Sequence, residues 1–237
     1  MPNLLFSTYG ISPALAYARN ALRSWGYAVT DEAASATHIL LPVPSLEAPG
    51  IIKGGLSFPT LQKYATVIGG NLPPLPYKTV DLLTDPYYLL ENAAITAQCA
   101  LHYAQLAPNM PVLVIGWGRI GKHLAALLSE LGAQVTVAVR NPDHLQALQT
   151  LGVTAILTAQ WKPKEYAIIF NTAPAPLLQE TDCRPDAQLI DLASTRGIAG
   201  KNVIWARGLP GKDAPELSGA LIAKTALRHA LEGGTYL

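Results

Sequence analysis

Charged residues are scarce in this sequence of 237 residues, because Asp, Glu, Lys and Arg together make up only 14% of it. The formal charge is +1, and no basic block interleaved with aromatic residues appears, so we do not expect a nucleic-acid partner. A charged fraction below the usual quarter leaves much of the surface uncharged. This composition predicts a buried interface in a homo-oligomer or with a permanent partner. Alternatively, a compact monomeric α/β protein with apolar strands can have the same low charged fraction.

Cysteine is scarce as well, and long apolar runs are missing. Cys99 and Cys183 lie 84 positions apart with no CxxC pattern, so neither a disulfide framework nor a metal site is indicated, and we interpret both as core thiols. No run of about 18 apolar residues occurs, and the N-terminus MPNLLFSTYG lacks a charged region and a cleavage-like site. We therefore expect a cytoplasmic protein without a membrane span.

What the sequence does contain is a glycine turn at 111–121, PVLVIGWGRIG, where a strand runs into the pattern G-x-G-x-x-G. In a dinucleotide-binding turn, Gly116 would permit the tight turn and Gly118 would let the backbone approach a pyrophosphate. Gly121 would let the following helix pack close to the strand. The free amides that open this helix would face the phosphates.

The flanks of the turn distinguish a dinucleotide site from a turn that uses glycine for packing alone. Apolar residues fall on one helical face over 119–131, Gly132 closes the helix, and a second strand follows at 134–139. This context favours the dinucleotide site. The predicted cofactor contacts in the turn are Gly116, Trp117, Gly118, Arg119, Ile120 and Gly121.

The second strand ends at Arg140 and Asn141, where the acidic residue that binds the ribose of NAD is missing. A guanidinium at this position pairs with the 2′-phosphate of NADP, so we predict NADP as the cofactor, bound by Arg140 and Asn141. One charge-assisted contact is worth about 1.5–3 kcal/mol, or about a tenfold to hundredfold preference. Alternatively, Arg140 stacks on adenine, which would leave the affinities for NADP and NAD nearly equal.

Periodicity predicts an α/β protein with a Rossmann-like, doubly wound parallel sheet and a second, smaller N-terminal α/β domain. The predicted boundaries are 1–86 for the N-terminal domain, 87–110 for a linker helix with Asp85 as its cap, and 111–237 for the dinucleotide-binding domain with a C-terminal helix. Predicted helices span 13–25, 87–106, 119–131, 142–151 and 214–231, and the last returns to the surface or to the small lobe. Predicted strands span 4–7, 27–30, 38–43, 134–139, 153–157, 166–171, 188–192 and 203–206, with further candidates at 51–53 and 65–68. We expect a cleft between the two lobes to hold the substrate.

Ligands of an open parallel sheet lie beyond the carboxyl ends of its strands. Besides the glycine turn, three stretches of unusual composition follow predicted strands, at 171–174, 191–197 and 206–212. We predict that the first contacts the cofactor ribose and that the other two lie near the nicotinamide. The further predicted cofactor contacts are Asn171, Thr172 and Asp191.

These stretches resemble the A subunit of bacterial dipicolinate synthase, an NADP-dependent dehydrogenase subunit that makes pyridine-2,6-dicarboxylate for endospores. The resemblance covers about residues 90–233, and the stretches 191–194 and 208–215 are its specific parts. The N-terminal part is similar more loosely, mainly at 40–43, and is shorter than in the family. Gln98 and Cys99 stand where the family has Glu and Gly.

The resemblance implies oxidation of a cyclic dihydropyridine dicarboxylate, in which the enzyme positions the ring against the nicotinamide and holds two carboxylates. Ordinary surface charges are the alternative interpretation of each cation. A flavoprotein-like B subunit is the implied partner. The substrate-binding residues implied by the resemblance are Ser194, Arg196, Arg207, Gly208 and Lys212.

No general base is predicted, because the five histidines lack a carboxylate partner at an obvious catalytic spacing, and His144 and His229 fit exposed helical positions. A 2-hydroxy-acid dehydrogenase has the same two-lobe plan but needs a histidine in the later strands and loops. None occurs between His144 and His229. A nucleotide-binding regulatory subunit without chemistry of its own is the other alternative.

Overall fold

The computed structural model describes residues 4–232. The chain divides into two compact units, one made of residues 4–92 together with 210–232 and the other of residues 93–209. Each unit is built on a parallel sheet, so the predicted two-domain, Rossmann-like α/β architecture is confirmed. Within the described residues, no helix combines the length and apolar character needed to cross a bilayer.

The first unit begins with a five-stranded parallel sheet and a small antiparallel meander. Its elements are β1 (Leu5–Thr8), α1 (Pro13–Ser24), β2 (Ala28–Thr30), β3 (His38–Leu40), β4 (Leu46–Ala48), β5 (Ile51–Ile52), β6 (Leu56–Ser57), β7 (Thr66–Gly69), β8 (Lys78–Asp81) and the start of α2 (Pro86–Leu101). The strand order is β2-β1-β3-β7-β8, and β4, β5 and β6 form the meander. Strand β3 is shorter than the predicted 38–43, because Pro42 has no N–H to donate to a neighbouring strand.

The second unit continues along the chain with a six-stranded parallel sheet. Its elements are the rest of α2, β9 (Pro111–Ile115), α3 (Arg119–Glu130), β10 (Gln134–Val139), α4 (Pro142–Thr150), β11 (Ala155–Leu157), β12 (Ile168–Asn171), β13 (Leu178–Gln179), β14 (Gln188–Asp191), β15 (Ile198–Ala199) and β16 (Val203–Trp205). The strand order is β11-β10-β9-β12-β14-β16, the 3-2-1-4-5-6 order of a dinucleotide-binding sheet. In such a sheet the ligand crevice lies where the order reverses, between β9 and β12.

The connections after β12 carry no long helix. Instead, the two-residue strands β13 and β15 pair with each other, and their apolar residues cover one face of the main sheet. Leu178 and Ile198 pack there against Leu113 and Leu189, and Cys183 joins the same core. Burial, reinforced by the charges of Asp182 and Glu180, raises the pKa of the Cys183 thiol to about 11. Cys183 and Cys99 are both buried, as expected for core thiols.

The chain ends with α5 (Leu209–Asp213) and α6 (Pro215–Glu232), and α6 packs on α1 in the first unit. This is the predicted alternative in which the last helix returns to the small lobe, whereas the predicted range 111–237 grouped this helix with the dinucleotide-binding domain. The physical reason is a close helix crossing at Gly219. A Cβ built on this glycine would overlap the Ala14 carbonyl and lie 2.5 Å from Cβ of Tyr17.

Asp85 joins the beginning of α2 to α6 within the first unit. Its carboxylate accepts a hydrogen bond from the backbone N–H of Tyr88 at 2.8 Å, which confirms the predicted cap. It also contacts His229 Nε2 at 2.7 Å and pairs with Arg228, so His229 is half-buried against a carboxylate 144 residues away in the sequence, and the predicted exposed position was wrong. Burial alone would raise the pKa of Asp85, but the hydrogen bonds from Tyr88, His229 and Arg228 outweigh it and lower the pKa.

The substitution Asp85→Asn is expected to lower the free energy of unfolding by about 2 kcal/mol at neutral pH, because it weakens a nearly buried, charge-assisted network. A carboxylate with a lowered native pKa stabilises the fold fully above its unfolded pKa of about 4, and this contribution is lost as the pH falls further. Urea unfolding at several pH values should therefore show the two proteins converging in acid. Asp31→Asn, at an exposed pair with Arg19, is the control and should change little. A constant difference between Asp85→Asn and the natural protein across that range would contradict this interpretation.

Candidate functional site

Two glycines of the turn after β9 are required by the protein's own packing. Gly116 has φ = +99°, and a Cβ there would lie 2.7 Å from Oγ1 of Thr172. A Cβ on Gly121 would overlap the carbonyl oxygen of Gly116, so this glycine lets α3 pack against the end of β9. The hydroxyl of Thr172 donates to the carbonyl of Ile115 at 2.9 Å and so holds the β12 loop against the turn.

Gly118, in contrast, is not required by anything in the described protein. Its φ of −81° suits any residue, and a Cβ built on it would meet no atom within 4 Å. It caps α3 without a side-chain hydrogen bond, and the first turn of α3 carries no acidic residue. The amides at the start of α3 are therefore available to an anion, and the open space above Gly118 is where a pyrophosphate would approach.

A cavity of about 470 Å³ lies over the carboxyl ends of β9 and β10. Four of the predicted cofactor contacts line it, namely Gly116, Trp117, Arg140 and Asn141, and so do His144 and Thr158. The other lining residues are apolar, and none carries a carboxylate. The other predicted contacts at the start of α3 do not line this cavity; they are Gly118, Arg119, Ile120 and Gly121.

Arg140 is exposed and forms no ion pair with any carboxylate of residues 4–232. The side chain of Asn141 has a structural role, because it accepts from the N–H of Asp143 at 2.8 Å and caps α4. Arg140 therefore presents an uncompensated guanidinium at the end of β10, next to a helix start that is already fixed.

Asn171 and Asp191, both predicted to contact the cofactor, are fully buried and bonded to each other at 2.9 Å. The Asp191 carboxylate also accepts from the backbone N–H groups of Ala193, Gly197 and Ile198 at 2.6–3.0 Å. Asn171 holds the N–H and the carbonyl of Ala173. These bonds shape the loops after β12 and β14, so both side chains position those loops, and their contact with the cofactor stays a prediction.

The structure brings two of the predicted substrate cations together on one aromatic ring. The guanidinium carbons of Arg196 and Arg207 lie 5.7 and 5.0 Å from the ring centre of Trp205, the last residue of β16. The indole N–H donates to the carbonyl of Ala193 at 3.1 Å, which fixes the ring against the loop after β14. Both arginines are exposed, and neither forms an ion pair within the described residues.

The other predicted substrate residues are Ser194, Gly208 and Lys212. Ser194 is exposed in the loop after β14, and Gly208 follows Arg207 with φ = +67°. Lys212 lies in α5, in the chain range of the first unit, and its role stays a prediction.

Sequence reasoning missed His144, Thr158 and Trp205. His144 is exposed, as predicted, but it also lines the cavity because it is the third residue of α4. Its place in the first turn of α4, close to the end of β10, is the signal that could have identified it. Trp205 carries no motif, since its role depends on two arginines that neighbouring loops bring to the same ring.

Comparison with known proteins agrees with this geometry. The TrkA-N domain family matches residues 112–163. The A subunit of dipicolinate synthase from Bacillus subtilis (strain 168) is 33% identical over an alignment that covers 47% of this chain and 42% of that protein. The chain therefore matches less than half the length of this curated relative.

Two solved structures share the fold. The A subunit of dipicolinate synthase from Bacillus halodurans superposes with a TM-score of 0.78 at 19% identity, covering 95% of this chain and 97% of that chain. The transhydrogenase from Sinorhizobium meliloti gives a TM-score of 0.69 at 18% identity, covering 97% of this chain and 94% of that chain. The chain is thus similar to the A subunit of dipicolinate synthase in sequence over about half of its length, and it shares the fold of these two structures.

Proposed function

We propose that this chain is an NADP-dependent oxidoreductase that converts dihydrodipicolinate, or its hydrated precursor, to dipicolinate. The observation that carries the proposal is Gly118, because the space beside it and the amides of α3 would admit a pyrophosphate, and no atom of the described protein lies within 4 Å of a Cβ built there. The unpaired guanidinium of Arg140, which lines the cavity over β9 and β10, supports NADP over NAD, since it would pair with the 2′-phosphate. The similarity to the A subunit of dipicolinate synthase supports the substrate.

Bound NADP would supply the hydride acceptor. Dihydrodipicolinate would give up a hydride and a proton, and the hydrated precursor would in addition release one water molecule. The product gains aromaticity, so the protein's task is mainly to hold a flat ring and two carboxylates in place. Arg196 and Arg207 suit this task, because guanidinium groups bind carboxylates in a bidentate manner and Trp205 offers a flat apolar surface beside them. Asp191 and Asn171 fix the loops that carry these residues. We assign no general base.

Arg207→Ala is expected to raise KM for dihydrodipicolinate by about tenfold, because one charge-assisted contact to a carboxylate is lost. The change in kcat should be smaller, since the residue binds the substrate and does not react. Initial rates of NADPH formation measure both constants. Arg184→Ala is the matched control, because Arg184 is engaged with Asp186 away from this site and should leave KM unchanged. An unchanged KM in Arg207→Ala would remove this residue from the substrate site.

A regulatory role without chemistry remains the second candidate, because the similar protein is one subunit of a synthase. We infer that a flavoprotein-like B subunit is the partner of this chain. Dipicolinate formation by the isolated chain with NADP would reject a purely regulatory role. Formation that depends entirely on the added partner subunit would support it.

A further inference from the structure

We propose that His144 is a second recognition residue for the 2′-phosphate of NADP, acting together with Arg140. The inference rests on the proposed NADP binding and names a residue that decides the choice between NADP and NAD. It starts from the cavity over β9 and β10, in which Arg140 and His144 are the ionisable residues.

The two side chains come from one short, fixed segment. Arg140 directly follows β10, and His144 is the third residue of α4. Between them, the Asn141 side chain caps the helix by accepting from the N–H of Asp143. This cap fixes the backbone between Arg140 and His144. Binding of a ligand by the two side chains would therefore cost little conformational entropy of the backbone.

The acidic residue of the same turn lies outside the cavity. Asp143 is in the first turn of α4, where its charge suits the helix N-terminus, but it does not line the cavity. The lining also contains Thr158, a neutral hydroxyl donor that follows the neighbouring strand β11. This end of the cavity therefore offers donors and no carboxylate, which fits a phosphate and not an unphosphorylated ribose.

Stacking of the imidazole on adenine is the competing role, and it predicts a different selectivity. A residue that stacks on adenine would strengthen the binding of NADPH and NADH equally, because both nucleotides contain adenine. A residue that donates to the 2′-phosphate supports NADPH alone. Phenylalanine keeps a flat ring for stacking but has no donor, so His144→Phe separates the two roles.

The test is calorimetric titration of NADPH and NADH into the full chain and its His144→Phe variant. We expect Kd for NADPH to rise about tenfold and Kd for NADH to change less than about twofold. His123→Phe is the matched control, because His123 lies on α3 and does not line the cavity, and it should leave both constants unchanged. Melting curves check that each variant is folded.

Unchanged NADPH affinity in His144→Phe would overturn the role of His144 while leaving NADP binding itself intact. Equal weakening of NADPH and NADH would assign stacking and also overturn the inference. If the unsubstituted chain binds neither nucleotide, the proposed function fails, and the inference fails with it.

Discussion

Replacing Gly118 by aspartate is expected to weaken NADPH binding by at least about a hundredfold while leaving the melting temperature unchanged or slightly higher. Aspartate is a preferred helix cap and its charge suits the N-terminus of α3, so the fold gains a small stabilisation. The open space above Gly118 accommodates its side chain. The same carboxylate, however, would occupy the place of a pyrophosphate and repel it, and such juxtaposed like charges cost several kcal/mol.

Gly118→Asn is the matched comparison for this experiment. Asparagine has the same size and also caps helices well, but it carries no charge. We expect NADPH affinity to fall less in Gly118→Asn than in Gly118→Asp, and the difference between the two measures the repulsion. Full NADPH affinity in Gly118→Asp, with the protein folded, would show that no phosphate approaches this glycine.

The second large effect is expected from Asp191→Asn, which should lower the free energy of unfolding by about 3 kcal/mol. The carboxylate is fully buried and accepts one side-chain and three backbone hydrogen bonds. An amide of the same shape turns one acceptor into a donor, which then faces donor groups such as the N–H of Gly197. Each buried donor or acceptor left without a hydrogen bond lowers the free energy of unfolding by about 1–3 kcal/mol.

Urea unfolding measures this loss, and Asp186→Asn is the control because Asp186 is exposed and bonded to Arg184 alone among side chains. The control should unfold at nearly the same urea concentration as the natural protein. The loops after β12 and β14 should also loosen in Asp191→Asn, which hydrogen exchange at Gly197 and Ile198 would detect. An Asp191→Asn variant as stable as the natural protein would show that these bonds do not hold the loops.

The features that are decided by a few consecutive residues could be predicted from the sequence. The packing roles of Gly116 and Gly121 depend on local backbone geometry, and the structure confirms a left-handed Gly116 and a close helix approach at Gly121. The cap at Asp85 was also predictable, because its carboxylate bonds to the backbone N–H of Tyr88, only three residues later. Alternation of apolar strands with helices was sufficient to predict a parallel, Rossmann-like sheet.

Features that depend on contacts between distant segments could not be predicted. Helix α6 joins the first unit because Gly219 fits against α1, and its own sequence pattern does not say which partner it has. Strands β13 and β15 have two residues each and carry no periodicity. Helix α2 ends at Leu101 and not at residue 106, because the next turn tightens into bonds between residues three apart.

For the polar residues of the site, too, the sequence shows the position along the chain but not the tertiary contacts. Asn171 and Asp191 follow strands, as ligand-binding residues do, and only tertiary packing reveals that they are buried and bonded to each other. His144 is exposed as predicted, but sequence spacing does not show that the first turn of α4 borders a cavity.

Equilibrium titration of the unsubstituted chain with NADPH and with NADH measures the central claim most directly. The cavity presents Arg140 and no carboxylate, so we expect saturable binding of NADPH. Its affinity should exceed that of NADH by about tenfold to hundredfold. Tighter binding of NADH, or heat of binding from neither nucleotide, would contradict it.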